Sequence, residues 1–146
     1  MSELEKIILT SSLTVVGGII IFVLGQLIVK FFIEPIHEQA TLIGEISYAL
    51  TFYANIYSNP GLGKPDDMYE ASQTLRQLAS RLRATTRAIR WYGLWQLLGI
   101  ALKQKALMDV STDLIGLSNG IYQGDPRVNN DRRERIKSAL GIKYEI

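Results

Sequence analysis

The chain has one histidine, His37, and its acidic neighbours make it the first candidate for chemistry. Glu34 and Glu38 lie three residues before it and one after it, so an imidazole and two carboxylates are close in sequence. Zinc sites use several imidazole or thiolate ligands, however, and the chain has no cysteine and no second histidine. Carboxylates at this spacing are also common on solvated helix faces. We therefore predict no metal here, and no cofactor elsewhere in the chain.

Two glycine-containing stretches superficially match catalytic motifs. Residues 59–64 lack the GxxxxGK[ST] spacing of a phosphate loop, and Pro65 stands where the hydroxyl residue should be. Residues 116–120 place Ser118 as in a GxSxG nucleophile elbow, but the preceding strand is missing and the single histidine is distant. We interpret residues 59–65 as a turn and predict that the chain is not an enzyme.

Four basic residues give the C-terminal segment a cationic character: Arg132, Arg133, Arg135 and Lys137. Asp131 and Glu134 lie among them, as is usual on a solvated surface. Nucleic-acid binding needs a larger basic footprint or aromatic side chains that stack on bases, and none lies nearby. The formal net charge of +2 adds no global attraction. We predict that nucleic acid is not a partner.

The elements that position these residues begin with an apolar run. The 23 residues from 7 to 29 carry no charge. As a helix with a rise of about 1.5 Å per residue they reach about 34 Å, enough to cross a hydrocarbon core of about 30 Å. The run is longer than the apolar part of a signal peptide, and residues 27–32 offer no cleavage site. We predict that residues 1–33 form an uncleaved transmembrane anchor.

The orientation of this anchor is indicated by its flanks. One lysine lies close to each end, so the positive-inside comparison is nearly balanced. The short tail before Lys6 carries Glu3 and Glu5 and would cross easily, whereas the arginine-rich residues 76–90 lie on the other side. We predict a plasma (inner) membrane protein with its C-terminal domain in the cytoplasm.

Residues 34–146 are predicted to form an all-α, membrane-proximal bundle of three long helices and a short fourth, because no segment has the period of a strand. At Pro35 the chain is expected either to kink or to begin a new helix. The first long helix spans residues 36–58 and ends at the turn. Its apolar positions recur at helical spacing: Ile36, Ile43, Ile46, Leu50, Tyr53 and Tyr57.

The later helices show similar periodicity. The second is expected to start at a capping box of Asp67 and Glu70 and to end near Arg90. Its apolar residues are Met68, Ala71, Leu75, Leu78, Leu82 and Ile89. Those of the third are Leu107, Val110, Leu114, Leu117 and Ile121. The short fourth helix, residues 131–140, follows Asn129 and Asn130 and closes with Gly141.

Small residues form one stripe of the anchor and are the candidate packing site in the membrane: Ser11, Thr14, Gly18 and Gly25, with Gln26 on the flank. Small side chains let helices approach closely in lipid. The stripe predicts either a homo-oligomeric seam or, since glycine and serine are tolerated in spans, a lone anchor.

The second candidate site is a contact with the membrane surface. An antiparallel second helix about as long as the first would return Trp91, Tyr92 and Trp95 toward the bilayer, where aromatic rings favour the interface. The alternative is that both tryptophans fill the core.

Arginines on one face of the second helix allow two interpretations. Arg76, Arg83, Arg87 and Arg90 share that face, whereas Arg81 lies elsewhere. In the first interpretation, these arginines form ion pairs with Glu34, Glu38 and Glu45 at the acidic start of the first helix. In the second, Arg83, Arg87 and Arg90 contact anionic lipid headgroups.

Taken together, these features predict a single-span, non-catalytic interaction or scaffold module whose partners are the lipid bilayer and another protein. The alternative is a small membrane-active effector that self-associates through its span and perturbs or gates the bilayer.

Overall fold

The computed structural model describes residues 2–142, and this part of the chain is helical without a strand. Met1 of the predicted anchor and residues 143–146 of the predicted bundle lie outside the described residues. Backbone packing divides the chain into two compact units, Met1–Glu34 and Pro35–Ile146.

The first unit is a long apolar helix, α1 (Glu3–Ile28), followed by a short π-helical segment (Val29–Ile33). Ser2 caps α1: its hydroxyl accepts from the Glu5 amide at 3.3 Å, and its own amide donates to Glu5 Oε2 at 2.7 Å. This reciprocal pair is a capping box and satisfies amides that the first helical turn leaves open. α1 has no buried residue.

Pro35 neither breaks the helix nor starts a separate one. Helix α2 (Glu34–Phe52) follows directly on the π segment, where the Glu34 amide donates to the Val29 carbonyl five residues back. Proline lacks an N–H group, and its ring collides with the carbonyl four residues earlier in a regular α-helix. A wider π turn immediately before Pro35 relieves this collision, as π-bulges do in other helices.

The second unit is a helical bundle. It contains α2, α3 (Ala54–Ser58), α4 (Pro65–Ala88), α5 (Tyr92–Leu97), α6 (Gln104–Gln123) and α7 (Pro126–Leu140). α4 packs along α6, α6 packs along α7, and the short α3 contacts all three of these helices. Side chains of α2 bond to α4, with Gln39 Nε2 donating to Thr86 Oγ1 at 3.0 Å.

The predicted apolar stripes form the core of this bundle. In α4 the predicted residues Ala71, Leu75, Leu78 and Leu82 are buried, and Ile89 is buried immediately after the helix. Met68 is only half-buried. The five predicted residues of α6, from Leu107 to Ile121, are each at most 1% exposed. In α2 and α3 the stripe is confirmed in its later part, while Ile36 and Ile43 are only half-buried.

One predicted helix is interrupted, and two predicted helix starts are wrong. The first long helix is interrupted at Tyr53, which separates α2 from α3. α4 begins at Pro65 rather than at a capping box, and Lys64 precedes it without a side-chain cap. Proline at the first helical position has its φ already set for a helix, so α4 gains an extra half turn and Asp67 lies inside it.

The fourth helix is longer than predicted for the same reason. Pro126 opens it, and Asp125 caps it by accepting from the Arg127 amide at 2.8 Å. The helix therefore contains 15 residues, and its first five precede the predicted range of residues 131–140. Its predicted end is confirmed, because Gly141 adopts the left-handed conformation with φ 68°.

Small hydroxyl residues bring α4 and α6 close together. The Ser72 and Ser118 hydroxyls are 2.9 Å apart, and Ser118 donates to the Ser72 carbonyl at 3.1 Å. Seven residues further along α4 and seven back along α6, Ser111 donates to the Ala79 carbonyl at 2.7 Å. Side chains this short let the backbone of one helix serve as acceptor for the other, so the interface combines apolar packing with satisfied polar groups.

Candidate membrane-contact site

The small-residue stripe of α1 is exposed along its length in this unit. A Cβ atom added at Gly18 or Gly25 would meet no heavy atom within 4 Å. The Thr14 hydroxyl donates to the Thr10 carbonyl at 2.9 Å, so the helix itself satisfies this polar group. A satisfied hydroxyl tolerates an apolar environment. Packing of Ser11, Thr14, Gly18, Gly25 and Gln26 against another helix stays a prediction.

The tryptophan-containing segment leaves α4 through a sharp turn. Ile89 is extended, and Trp91 adopts the left-handed conformation with φ 54° before α5 begins. Gly99, with φ 71°, follows the end of α5. These two left-handed residues bound a compact loop between α4 and α6, and the loop contains three of the six predicted membrane-surface residues: Trp91, Tyr92 and Trp95.

Tyr92 and Trp95 attach α5 to the core. Tyr92 is 7% exposed, and its hydroxyl lies 2.8 Å from the Leu102 carbonyl oxygen and 3.3 Å from Gln39 Oε1. Burial raises the pKa of this phenol, although the hydrogen bond with Gln39 acts against the rise. Trp95 is half-buried against the core, and its Nε1 donates to the Arg90 carbonyl at 3.2 Å. The prediction that Tyr92 reaches the membrane surface is thus corrected: its side chain is a core residue.

Trp91 has the opposite environment, with 71% of its surface exposed. The alternative that both tryptophans fill the core is therefore wrong for Trp91. Four neighbouring apolar side chains are also exposed: Leu94 (45%), Leu97 (82%), Leu98 (58%) and Ile100 (55%). We call these four residues and Trp91 the α5 apolar surface. Sequence reasoning missed the four aliphatic members; the signal was an apolar run without a polar face.

The arginines of α4 divide into two groups. Arg76 bonds to Ser118 and Asn119, and Arg83 Nη2 donates to Thr112 Oγ1 at 3.0 Å, so both contact α6. Arg87 and Arg90 are exposed near the end of the helix. Of the three predicted membrane-surface cations, Arg87 and Arg90 are exposed and Arg83 is half-buried.

The expected pairing with α2 is made by a different arginine. Arg81, which the periodicity had placed elsewhere, forms a two-pronged ion pair with Glu45, at 2.5 Å and 3.3 Å. Glu38 instead accepts from Thr85 Oγ1 at 3.4 Å. The helices cross with Arg76 and Arg83 turned toward α6, and this leaves Arg81 on the side of α4 that meets α2.

The other sequence motifs considered for chemistry are His37, Ser118 and the turn of residues 59–64. His37 is exposed, and within residues 2–142 no three His, Cys, Asp or Glu side chains are grouped to hold a metal ion. Ser118 lies inside α6, fully buried. In the turn of residues 59–64, the Gly61 amide donates to the Ile121 carbonyl at 2.9 Å, which fastens the turn to the end of α6.

The basic side chains of α7 bond to protein groups. Arg135 pairs with Asp113 through contacts of 2.9 Å and 2.5 Å, and hydrogen bonding to this carboxylate raises the pKa of Arg135. Arg132 Nη1 donates to the Gly116 carbonyl at 3.3 Å, and Arg133 pairs with Glu134. Arg135 is exposed, as expected for a solvated surface, but Arg132 and Arg133 are half-buried and Lys137 is buried.

No family model, no curated protein and no solved structure matches this chain. Similarity to known proteins therefore assigns it no function. What the molecule offers is an apolar helix in one unit and the α5 apolar surface in the other.

Proposed function

We propose that the chain is a membrane-anchored, non-catalytic interaction module. In this proposal α1 crosses the bilayer, and the unit that begins at Pro35 binds another protein at the membrane surface. The observation that carries the proposal is the contrast in burial between the units. α1 contributes no buried residue, whereas the helices of the second unit surround a core of their own.

The chemistry of α1 supports a bilayer environment. Among residues 2–142, one helix is long and apolar enough to cross a membrane, and none of its most apolar window is buried. That helix runs over Glu3–Phe52, and the 26 residues of α1 within it reach about 39 Å at 1.5 Å per residue, more than the hydrocarbon thickness. Leaving this apolar surface in water would be unfavourable by about 25 cal/mol for each Å². We place it in the plasma (inner) membrane with the bundle in the cytoplasm.

An exposed aromatic pair on α2 supports a protein partner. Tyr48 and Phe52 are 66% and 60% exposed, and their rings stack with centroids 5.4 Å apart. Beside Tyr48 lies an open pocket of about 400 Å³ between α2 and α4, lined also by Gly44 and Leu78. Protein interfaces are enriched in aromatic side chains, and rigid rings beside a pocket are typical binding anchors.

The anchor is tested by extraction of membranes with alkaline carbonate. The full chain should stay in the membrane pellet, whereas a chain with Ile20→Lys and Val23→Lys should be released. A lysine near the centre of a span costs about 2.5–3.5 kcal/mol on insertion scales. Leu62→Lys, in the exposed turn, is the control and should stay in the pellet. Release of the unmodified chain would contradict the proposal.

The interaction surface is tested by affinity capture from membranes in mild detergent. Tyr48→Ala with Phe52→Ala should lose a protein that the unmodified chain captures. Tyr69→Ala is the matched control, because Tyr69 is 62% exposed on α4. Replacing α1 with an unrelated apolar span should leave capture unchanged. A partner that is kept by the aromatic variant but lost with the replaced span would favour the effector instead.

The effector remains the second candidate, and the open glycine positions of α1 favour it. Gly18→Ile would separate two helices packed through the stripe, whereas Ile20→Leu alters a different face. For this candidate we expect Gly18→Ile to lower the yield of dimers in membrane crosslinking and Ile20→Leu to leave it unchanged. Equal yields would remove the seam and leave the monomeric module.

A further inference from the structure

The position of the α5 apolar surface is determined by the bundle. Tyr92 and Trp95, three residues apart, bind α5 to the core by one face. Leu94 and Leu97 of α5 are exposed, as are Trp91 just before the helix and Leu98 just after it. A helix with apolar residues on both faces needs an apolar environment on each side. The core of this bundle covers only one face of α5, so the other face is open to a further apolar partner.

Along the sequence, the charges on either side of this surface have a single sign. From Ala71 to Met108 the sequence has no acidic residue and seven basic ones. Arg76, Arg81 and Arg83 bond to groups of α2 and α6. The other four are exposed on the two sides of the α5 apolar surface: Arg87 and Arg90 before it, Lys103 and Lys105 after it.

We propose that the α5 apolar surface is a second membrane contact, which inserts into the headgroup layer of a bilayer rich in anionic lipid. Leu94, Leu97, Leu98 and Ile100 would enter the boundary of the acyl chains, and Trp91 would lie at the interface. The flanking arginines and lysines would bind lipid phosphates. This inference rests on the proposed anchoring by α1 and adds a lipid class and a binding element to it.

Charge complementarity favours a lipid surface over a protein as the occupant. Apolar side chains with exposed cations before and after them in the sequence match an interface where acyl chains lie beneath a layer of anionic phosphates. Tryptophan is enriched at that depth. Because α1 holds the domain beside the bilayer, the docking step is intramolecular, and weak affinity for lipid is enough to populate it.

Tryptophan quenching tests the contact in the full chain reconstituted into vesicles. Trp95→Phe leaves Trp91 as the reporter, and Trp91→Phe leaves Trp95. With phosphatidylglycerol mixed into phosphatidylcholine, lipids brominated near the headgroup should quench Trp91 strongly, and acrylamide in water should quench it weakly. Trp95 should respond less to the brominated lipid because its ring is half-buried in the bundle.

Matched variants separate the apolar and ionic contributions. In the Trp91 reporter chain, Leu97→Gln should reduce quenching by brominated lipid, whereas Leu62→Gln should not. These two leucines are 82% and 83% exposed, so the control matches the loss of apolar surface. Arg87→Gln should lower the ratio of docked to undocked molecules about fivefold in the anionic vesicles. Arg127→Gln, which removes one exposed charge from α7, should leave it unchanged.

Limited proteolysis of the unmodified chain provides a measurement that needs no tryptophan replacement. Trypsin should cleave after Lys103 and Lys105 more slowly in anionic vesicles than in phosphatidylcholine vesicles. Cleavage at equal rates in the two lipids would overturn the contact with anionic lipid.

Two quenching results would also overturn the proposal. Trp91 open to acrylamide and unaffected by brominated lipid would leave the surface in water. Trp91 shielded from acrylamide but unaffected by brominated lipid would mean that protein covers it. If the chain still resists carbonate extraction in either case, the anchor stands and only this second contact is lost.

Discussion

Asn129 is the side chain that ties three helices of the bundle together. It is fully buried in α7, and its Nδ2 donates to the Tyr57 carbonyl of α3 at 2.9 Å and to the Gly120 carbonyl of α6 at 3.1 Å. The amide fits because Gly120 has no side chain, and a Cβ atom there would collide with the amide group of Asn129. A buried polar group stabilises a fold only where its partners are in place, so this site depends on glycine.

Gly120→Ala should therefore destabilise the bundle. Alanine favours a helix over glycine by about 1 kcal/mol, but overpacking a buried site costs about 1–3 kcal/mol and here also displaces a hydrogen-bonded amide. We expect a lower midpoint of thermal unfolding, followed by circular dichroism of the full chain in mild detergent.

Gly44→Ala is the control for this change. A Cβ at Gly44, inside α2, would meet nothing within 4 Å, so the helix preference should act alone and stabilise by about 0.5–1 kcal/mol. Stabilisation by both alanines would mean that Asn129 has room to move, and would contradict the tight site.

Tyr92 gives the bundle a dependence on alkaline pH. Burial raises its pKa above the ordinary value of 10.0, so folding favours the neutral phenol. The stability gained from this preference is complete below about pH 10 and is lost as the pH rises through the folded-state pKa. As the pH rises above about 10, the unfolding midpoint should fall more steeply in the unmodified chain than in Tyr92→Phe.

A second buried tyrosine sets the alkaline dependence that should remain in Tyr92→Phe. Tyr53, whose pKa burial also raises, should leave some alkaline dependence in Tyr92→Phe. Identical slopes in the two chains would show that the Tyr92 phenol is solvated. At neutral pH the variant should be less stable, because the Leu102 carbonyl loses its bond.

At the scale of the elements, the interface between α4 and α6 depends on short side chains. Ser72, Ala79, Ser111 and Ser118 recur at seven-residue intervals on the two helices and face each other in pairs. Arg76 and Arg83 extend the same pattern, since each crosses to a polar residue of α6. The register of the helix pair is thus specified by polar contacts as well as by apolar packing.

Ser118→Val should weaken this interface. The extra carbon atoms overfill a fully buried site, and Ser72 and Arg76 both lose a hydrogen-bond partner. We expect a loss of about 1–3 kcal/mol in unfolding free energy. Ser80→Val on the exposed face of α4 is the control and should change it by at most about 0.5 kcal/mol. Equal effects of both valines would rule out close packing as the cause.

These elements show where sequence patterns suffice. The buried faces of α4 and α6 follow from helical periodicity, because one polar and one apolar face leave a single way to pack. The start of α4 was mispredicted because Asp67 and Pro65 both offer local start signals, and the proline prevails. The exposure of Leu97 could not be predicted, since an apolar segment without a polar face fits a core or an interface equally well. The structure decides between them, because Tyr92 and Trp95 face the core and Leu97 is left on the exposed side of α5.

At the scale of the whole molecule, the second unit has its own core. Its buried apolar side chains all come from residues after Pro35. A chain lacking residues 1–34 should therefore be soluble and helical and should melt cooperatively. Circular dichroism and size-exclusion chromatography measure both properties.

If that shortened chain aggregates, the cause is either the α5 apolar surface or the loss of α1 from the core, and one variant distinguishes them. Leu97→Gln should restore a monomer if the α5 apolar surface is responsible. An aggregated or unfolded chain that this variant does not rescue would show that α1 belongs to the core.

The bond from Asn129 to the Tyr57 carbonyl also has a consequence for biosynthesis. It joins residues 72 positions apart, so the bundle cannot close until nearly the whole chain has been made. At about 5–20 residues per second, the ribosome needs on the order of 5–20 s to proceed from the end of α1 to Asn129. α1 is thus available for delivery to a membrane while α7 is still being synthesised. If α1 crosses a bilayer as proposed, we expect the bundle to fold only after α1 has been inserted.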